Sequence, residues 1–151
     1  MKLAEALQER ADLNRRIEQL KTRLLHNALV QDGETPAEDP EQLLRELAEC
    51  TGRLEYLIAR INRTNCATVT DGETLTDLLA RKDTLILRLA AYRDLVSTAS
   101  QTARRATRSE IKILSTVDVR QIQRQVDDMS RSLRLLDNKL QSLNWTTNLM
   151  E

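Results

Sequence analysis

The chain has 151 residues with 23 basic and 23 acidic side chains, no Phe, one Trp, two Tyr, two Pro and three Gly. Zero net charge argues against a global pull toward nucleic acid or anionic membrane, and no apolar run reaches the roughly 20 residues of a membrane span. The excess of Leu, Ala, Arg, Glu and Gln with so few breakers argues against a mainly β protein and for long helices.

The first element is expected near residues 2–27. "MKLAEALQERADL" carries acidic residues in its first turns and no apolar signal core, so it reads as a helix start and points to a cytoplasmic protein. The two Asn-x-Thr triplets, at Asn62 and Asn144, are then not glycosylation sites. Leu3, Ala6, Leu13, Ile17, Leu20 and Leu24 form its apolar stripe, interrupted by Arg10.

A second helix is predicted over 40–65, with Asp39 as N-cap, Pro40 at the first helical position and Gln42 as a reciprocal partner. Its stripe is Leu43, Leu47, Cys50, Leu54, Leu57 and Ile61. Cys50 and Cys66 lie on this one helix, about 24 Å apart at 1.5 Å per residue, far beyond disulfide reach.

The third helix, 75–100, starts at Thr74 with Asp77 and carries Leu75, Leu78, Lys82, Leu85, Leu89, Tyr92, Val96 and Ala99. The fourth, 119–143, starts at Asp118 with Gln121 and has the cleanest stripe: Val119, Ile122, Val126, Met129, Leu133, Leu136, Leu140 and Leu143. One narrow stripe per helix predicts an all-α fold in a single domain, 1–151: an elongated, antiparallel, up-down-up-down four-helix bundle with coiled-coil-like packing.

Two nearly identical octets punctuate the helices, "ALVQDGET" at 28–35 and "ATVTDGET" at 67–74. Gly33 and Gly72 supply the positive φ of a tight turn after an Asp, and the Ala-x-Val-x half of each copy has the alternation of a short extended piece. Neither copy has the ligand spacing of a calcium loop, so both read as joints. A further strand-like stretch, "EIKILSTV" at 110–117, alternates at Ile111 and Ile113. Strands near 28–31 and 110–116 are expected to pair as a small β-ribbon at one end of the bundle, or to leave an edge that recruits a second subunit.

The chemistry missing from the sequence is informative. His26 is the single histidine, and the residue three before it is Arg23, not the Glu of a di-iron Glu-x-x-His motif. Cys50, Cys66 and His26 have no metal-ligand spacing, and there is no Gly-rich phosphate loop, nucleophile elbow or aromatic platform for bases. No catalytic residue, metal or cofactor is expected, and the protein is not read as an enzyme.

Two groups of residues are candidates for contact with something else. Arg104, Arg105, Arg108 and Lys112 put four positive charges beside the strand-like stretch with Ile111 and Ile113. They read as a loop paired with carboxylates of a neighbour or, alternatively, as a site for a phosphorylated ligand or nucleic acid. Up-down topology would also gather Asn62, Arg63, Asn65, Asp77, Arg81, Asp83, Asn144 and Trp145 into a polar lid at the other end. Trp145 is expected to cover the core there, and Asn, Thr and Asp to satisfy helix termini.

The segments "AEDPEQLL", "INRTN", "TLTDLLARKD", "SEIKILSTVDV" and "NWTTNLME" resemble, in order and over nearly the whole chain, a family of small bacterial proteins described as septicolysin-like. The resemblance implies an all-helical fold and supplies no activity, cofactor or catalytic residue to carry over. The functional expectation is therefore a non-enzymatic scaffold or interaction module that forms homo-oligomers, with the charged intruders Arg10 and Lys82 fixing register or subunit pairing.

Overall fold

The structure, a computed structural model, describes residues 1–102 and 111–151. Among these, four helices form: α1 (Leu3–His26), α2 (Pro40–Ala67), α3 (Leu75–Ala99) and α4 (Val119–Thr146). A two-stranded ribbon of β1 (Val69–Thr70) and β2 (Glu73–Thr74) precedes α3. The fold is all-α with a short ribbon, and the chain divides into two compact units, Met1–Thr70 with Leu143–Glu151, and Asp71–Ser142.

In the first unit α1 and α2 pair along their apolar stripes. Leu3, Ala6, Leu20, Leu43, Cys50, Leu57 and Ile61 are buried, and Leu13, Ile17, Leu24 and Leu47 pack against the cluster of Leu20, Leu43 and Cys50. Beside the stripes runs a ladder of ion pairs: Glu9 with Arg53, Arg16 with Glu46, and Arg23 with Glu38. Each seven-residue step up α1 meets a seven- or eight-residue step down the following segment, which fixes an antiparallel register. Arg53 Nε donates to Glu9 at 2.7 Å and its terminal nitrogen at 2.9 Å, while Arg23 Nε donates to both Glu38 oxygens at 3.1 and 3.0 Å. These two-point bonds hold the Glu9 and Glu38 carboxyls below their ordinary value of 4.5, chiefly through the guanidinium hydrogen bonds, and raise both arginines.

The sign of the pH dependence follows. Depressed carboxyl values stabilise the fold above the unfolded value near 4.5, and that contribution is lost as pH falls through the lower folded values. Melting temperature is expected to be level above about pH 5 and to fall steeply below about pH 4. The Glu9→Gln/Glu38→Gln double variant should show a shallower fall in a melting series from pH 7 to pH 2.5. An unchanged slope would mean that the ladder is not formed in solution.

The caps largely follow the predicted residues. Asp39 accepts the Glu41 N–H at 3.0 Å, one residue earlier than the expected partner Gln42. Thr74 and Asp77 exchange bonds as a capping box, with Asp77 N–H donating to Thr74 Oγ1 at 3.1 Å and Thr74 N–H to Asp77 at 2.9 Å. Asp118 accepts from Gln121 N–H at 3.2 Å.

The ribbon lies elsewhere than expected. Residues 28–31 and 111–116 are not strands, and the pairing forms instead within the second octet. There Asp71 and Gly72 both take positive φ, 53° and 82°, as a type I′ hairpin turn requires. In the first octet only Gly33 is left-handed, φ 86°, and Glu34 N–H donates to Gln31 C=O at 3.0 Å. That is the pattern of a type II turn, whose twist splays flanking strands. Asn27 anchors the far side of this loop, donating to Arg23 C=O at 2.9 Å and accepting the Glu38 N–H at 3.0 Å. The same Asp-Gly-Glu-Thr letters therefore make two different joints.

The first unit is closed by the segment after α4. Leu3 N–H donates to Thr147 C=O and Leu149 N–H to Met1 C=O, each at 2.9 Å, with Lys2 and Asn148 bridged between them. Met150 N–H reaches the Oγ1 of fully buried Thr64 at 3.0 Å, and that hydroxyl donates to Arg60 C=O at 2.8 Å.

Candidate interaction surface

In the second unit α3 and α4 run antiparallel. Lys82 pairs with Asp137, and further along α3 Arg93 donates to Ser130, further back on α4, at 3.1 Å. The half-buried Lys82 on the apolar stripe thus has its counter-charge within the chain. Between the helices an open groove of about 350 Å³ has Ile86, Leu89 and Leu133 as floor and Lys82, Arg93 and Arg134 among its polar lining.

The predicted α3 stripe faces inward: Leu75, Leu78 and Leu89 are buried, and Lys82, Leu85, Tyr92, Val96 and Ala99 are half-buried. What the stripe does not exhaust is the apolar content of this helix. Ala80, Thr84, Leu87, Ala91 and Leu95 follow a 4-3-4-4 spacing, which at 3.6 residues per turn confines them to about 80° of arc. All five are exposed, Leu87 at 71% and Leu95 at 40%. A surface helix of a globular protein ordinarily carries polar residues on that face, and one that is apolar on two faces ordinarily has both covered. Sequence reading passed over this second stripe because Ala and Thr carry little hydrophobic signal. The 4-3-4-4 spacing was the cue that could have found it.

The polar-lid residues distribute between the units. Asn62, Arg63, Asn65, Asn144 and Trp145 belong to the first, and Asp77, Arg81 and Asp83 to the second. Trp145 is 59% exposed, and the terminal segment through Thr147 and Leu149 closes that end, where its backbone meets Leu3 and Met1. Asp77 is held by the α3 cap, where the Thr74 hydroxyl and amide keep its carboxyl below the ordinary range, and Arg81 pairs with Glu73. Asn62, Arg63 and Asp83 are exposed, and Asn65 and Asn144 half-buried.

Of the basic loop, Arg104, Arg105 and Arg108 lie outside the described residues. Lys112 is exposed, as are Ile111 at 72% and Ile113 at 45%; Ile113 lines a cavity of about 260 Å³ together with Leu95 and Ala99. Neither Cys50, which is buried, nor Cys66, which is exposed, forms a disulfide. Among the described residues no group of three or more His, Cys, Asp or Glu side chains could hold a metal ion. No helix among them is long and apolar enough to cross a membrane.

Comparison with known proteins agrees with this architecture. The chain is similar over 99% of its length, and over 99% of the other chain, to a functionally unknown conserved protein from Corynebacterium diphtheriae whose crystal structure is solved, with 43% sequence identity and a TM-score of 0.94. No curated protein matches. The septicolysin-like resemblance has no counterpart in these matches, which instead support kinship with uncharacterised proteins. A family model described as a family of unknown function, DUF6847, matches residues 10–149, and the chain belongs to that family.

Proposed function

We propose that the protein is a non-enzymatic, cytoplasmic interaction module that associates with itself, and that the outer face of α3 is the surface it uses. The observation that carries this reading is the exposed second stripe, with Leu87 71% exposed at the middle of a 25-residue helix. Leaving such a surface in water forgoes about 25 cal/mol for every Å² of apolar area that a partner would cover. The small residues Ala80, Thr84 and Ala91 on the same face as the leucines allow a second helix to approach closely. The charge that interrupts the inner stripe, Lys82, is answered by Asp137 within the chain, so it does not call for a partner subunit.

Light scattering over a concentration series tests the reading. The expected result is a particle of twice the 17.3 kDa chain mass, reversible on dilution. A constant single-chain mass up to about 200 µM would sink it, since a weaker interface falls below about 5 kcal/mol of binding.

A further inference from the structure

We propose that the partner of α3 is α3 of a second copy, lying parallel and in register, with Asp83 of each copy paired to Arg88 of the other. This rests on the self-association reading and goes beyond it by naming the seam, its direction and its charges. The argument begins with the margins of the exposed stripe. Asp83 and Asp94 flank one side, and Arg81 and Arg88 flank the other, as the 100° step per residue dictates.

Two helices packed in parallel bring opposite margins together, acidic against basic. An antiparallel pair would bring acidic against acidic and basic against basic. In the parallel case the residue just before one seam position faces the partner residue five positions further on. Asp83 precedes Thr84, and Arg88 follows Leu87, so the two stand at that offset. The symmetry of the pair makes the contact twice.

Among the described residues neither margin charge is committed to an ion pair. Asp83 has no partner among the described residues, and Arg88 lies over the Tyr92 ring at 5.5 Å, a contact that leaves guanidinium donors open. Arg81, by contrast, is taken by Glu73. The seam positions suit close packing: Leu87 meets Leu87, while Ala80 and Ala91 meet themselves at short distance. Past Ala91 the spacing shifts by one residue, so that Leu95 continues the seam and Asp94 is left at its edge.

The test uses the full chain with Cys66→Ser as background, because Cys66 is exposed. Asp83→Arg and Arg88→Asp are each expected to weaken the dimer about tenfold, and the double variant to restore it. Ala80→Cys and Ala91→Cys, each alone, should form an intermolecular disulfide under mild oxidation, which only the parallel in-register seam allows at both positions. Leu87→Asp should give a monomer whose circular dichroism, and whose melting below the association threshold, match the parent, since within the chain its side chain lies in water. A dimer that ignores Leu87→Asp and forms neither disulfide overturns the seam while leaving self-association standing. A dimer with additive charge effects and no restoration overturns the Asp83–Arg88 pairing. A parent chain that is monomeric overturns both this inference and the reading beneath it.

Discussion

Truncation after Thr146 is expected to lower the melting temperature by about 10 °C, the effect of roughly 4 kcal/mol on a chain of this size. The deleted residues supply the Thr147 carbonyl to the Leu3 amide, the Leu149 amide to Met1 and the Met150 amide to Thr64. Each such bond contributes about 1 kcal/mol net, and the Leu3 amide suffers most, because its residue is fully buried and water replaces the carbonyl only by opening the end of the unit. Exposure of half-buried Leu149 adds about 1 kcal/mol. A single change isolates one strand of this clasp: Thr64→Val keeps the shape of a buried side chain but leaves the Met150 amide without its acceptor, at a cost of about 1–2 kcal/mol. Calorimetry of the truncated chain checks the larger effect. A melting temperature within a degree or two of the parent would mean that the segment does not bind the first unit in solution.

Leu20→Ala is expected to destabilise the fold by about 3 kcal/mol through lost transfer energy and the cavity left behind. Leu20 is fully buried and shares a cluster with Leu43 and Cys50, lined by Leu13, Ile17, Leu24 and Leu47 from both helices. None of these neighbours sits at a chain end, so the site has little room to collapse. Leu87→Ala removes the same atoms from a residue 71% exposed and should change stability by less than about 0.5 kcal/mol. Urea unfolding of both variants, each below its association threshold, separates the two roles of leucine in this protein. If Leu87→Ala cost as much as Leu20→Ala, the outer face of α3 would be covered within the chain, and the proposed seam would be lost.

Much of this architecture is legible residue by residue. Apolar spacing identified all four helices and the inward residues on each, because a stripe that recurs every three to four positions has one face on which it can be buried. Asp39, Thr74 and Asp118 marked helix starts for a local reason, since the first amides of a helix need acceptors and a short polar side chain is within reach. The lid rested on an assumed distance between helix ends, which is a matter of long range. What the structure shows of its members is local: Asp77 and Arg81 are held by Thr74 and Glu73 close by in the chain.

The repeated octet shows where local reading ends. Gly33 and Gly72 were both correctly read as left-handed, but whether the preceding Asp follows is decided by what holds the loop's ends. Asn27 and Arg23 pull Glu38 back onto α1 in the first copy, while Lys139 holds the carboxyl of left-handed Asp71 at 2.7 Å in the second. The sequence by itself therefore determined the helices, their starts and the faces they bury, since these depend on contacts within a few residues. Only the tertiary structure decided which octet forms a ribbon, that the terminal segment closes the first unit, and that one apolar stripe of α3 is left in water. Each of these turns on which distant group is present to accept a hydrogen bond or cover a surface, and that is a property of the assembled chain.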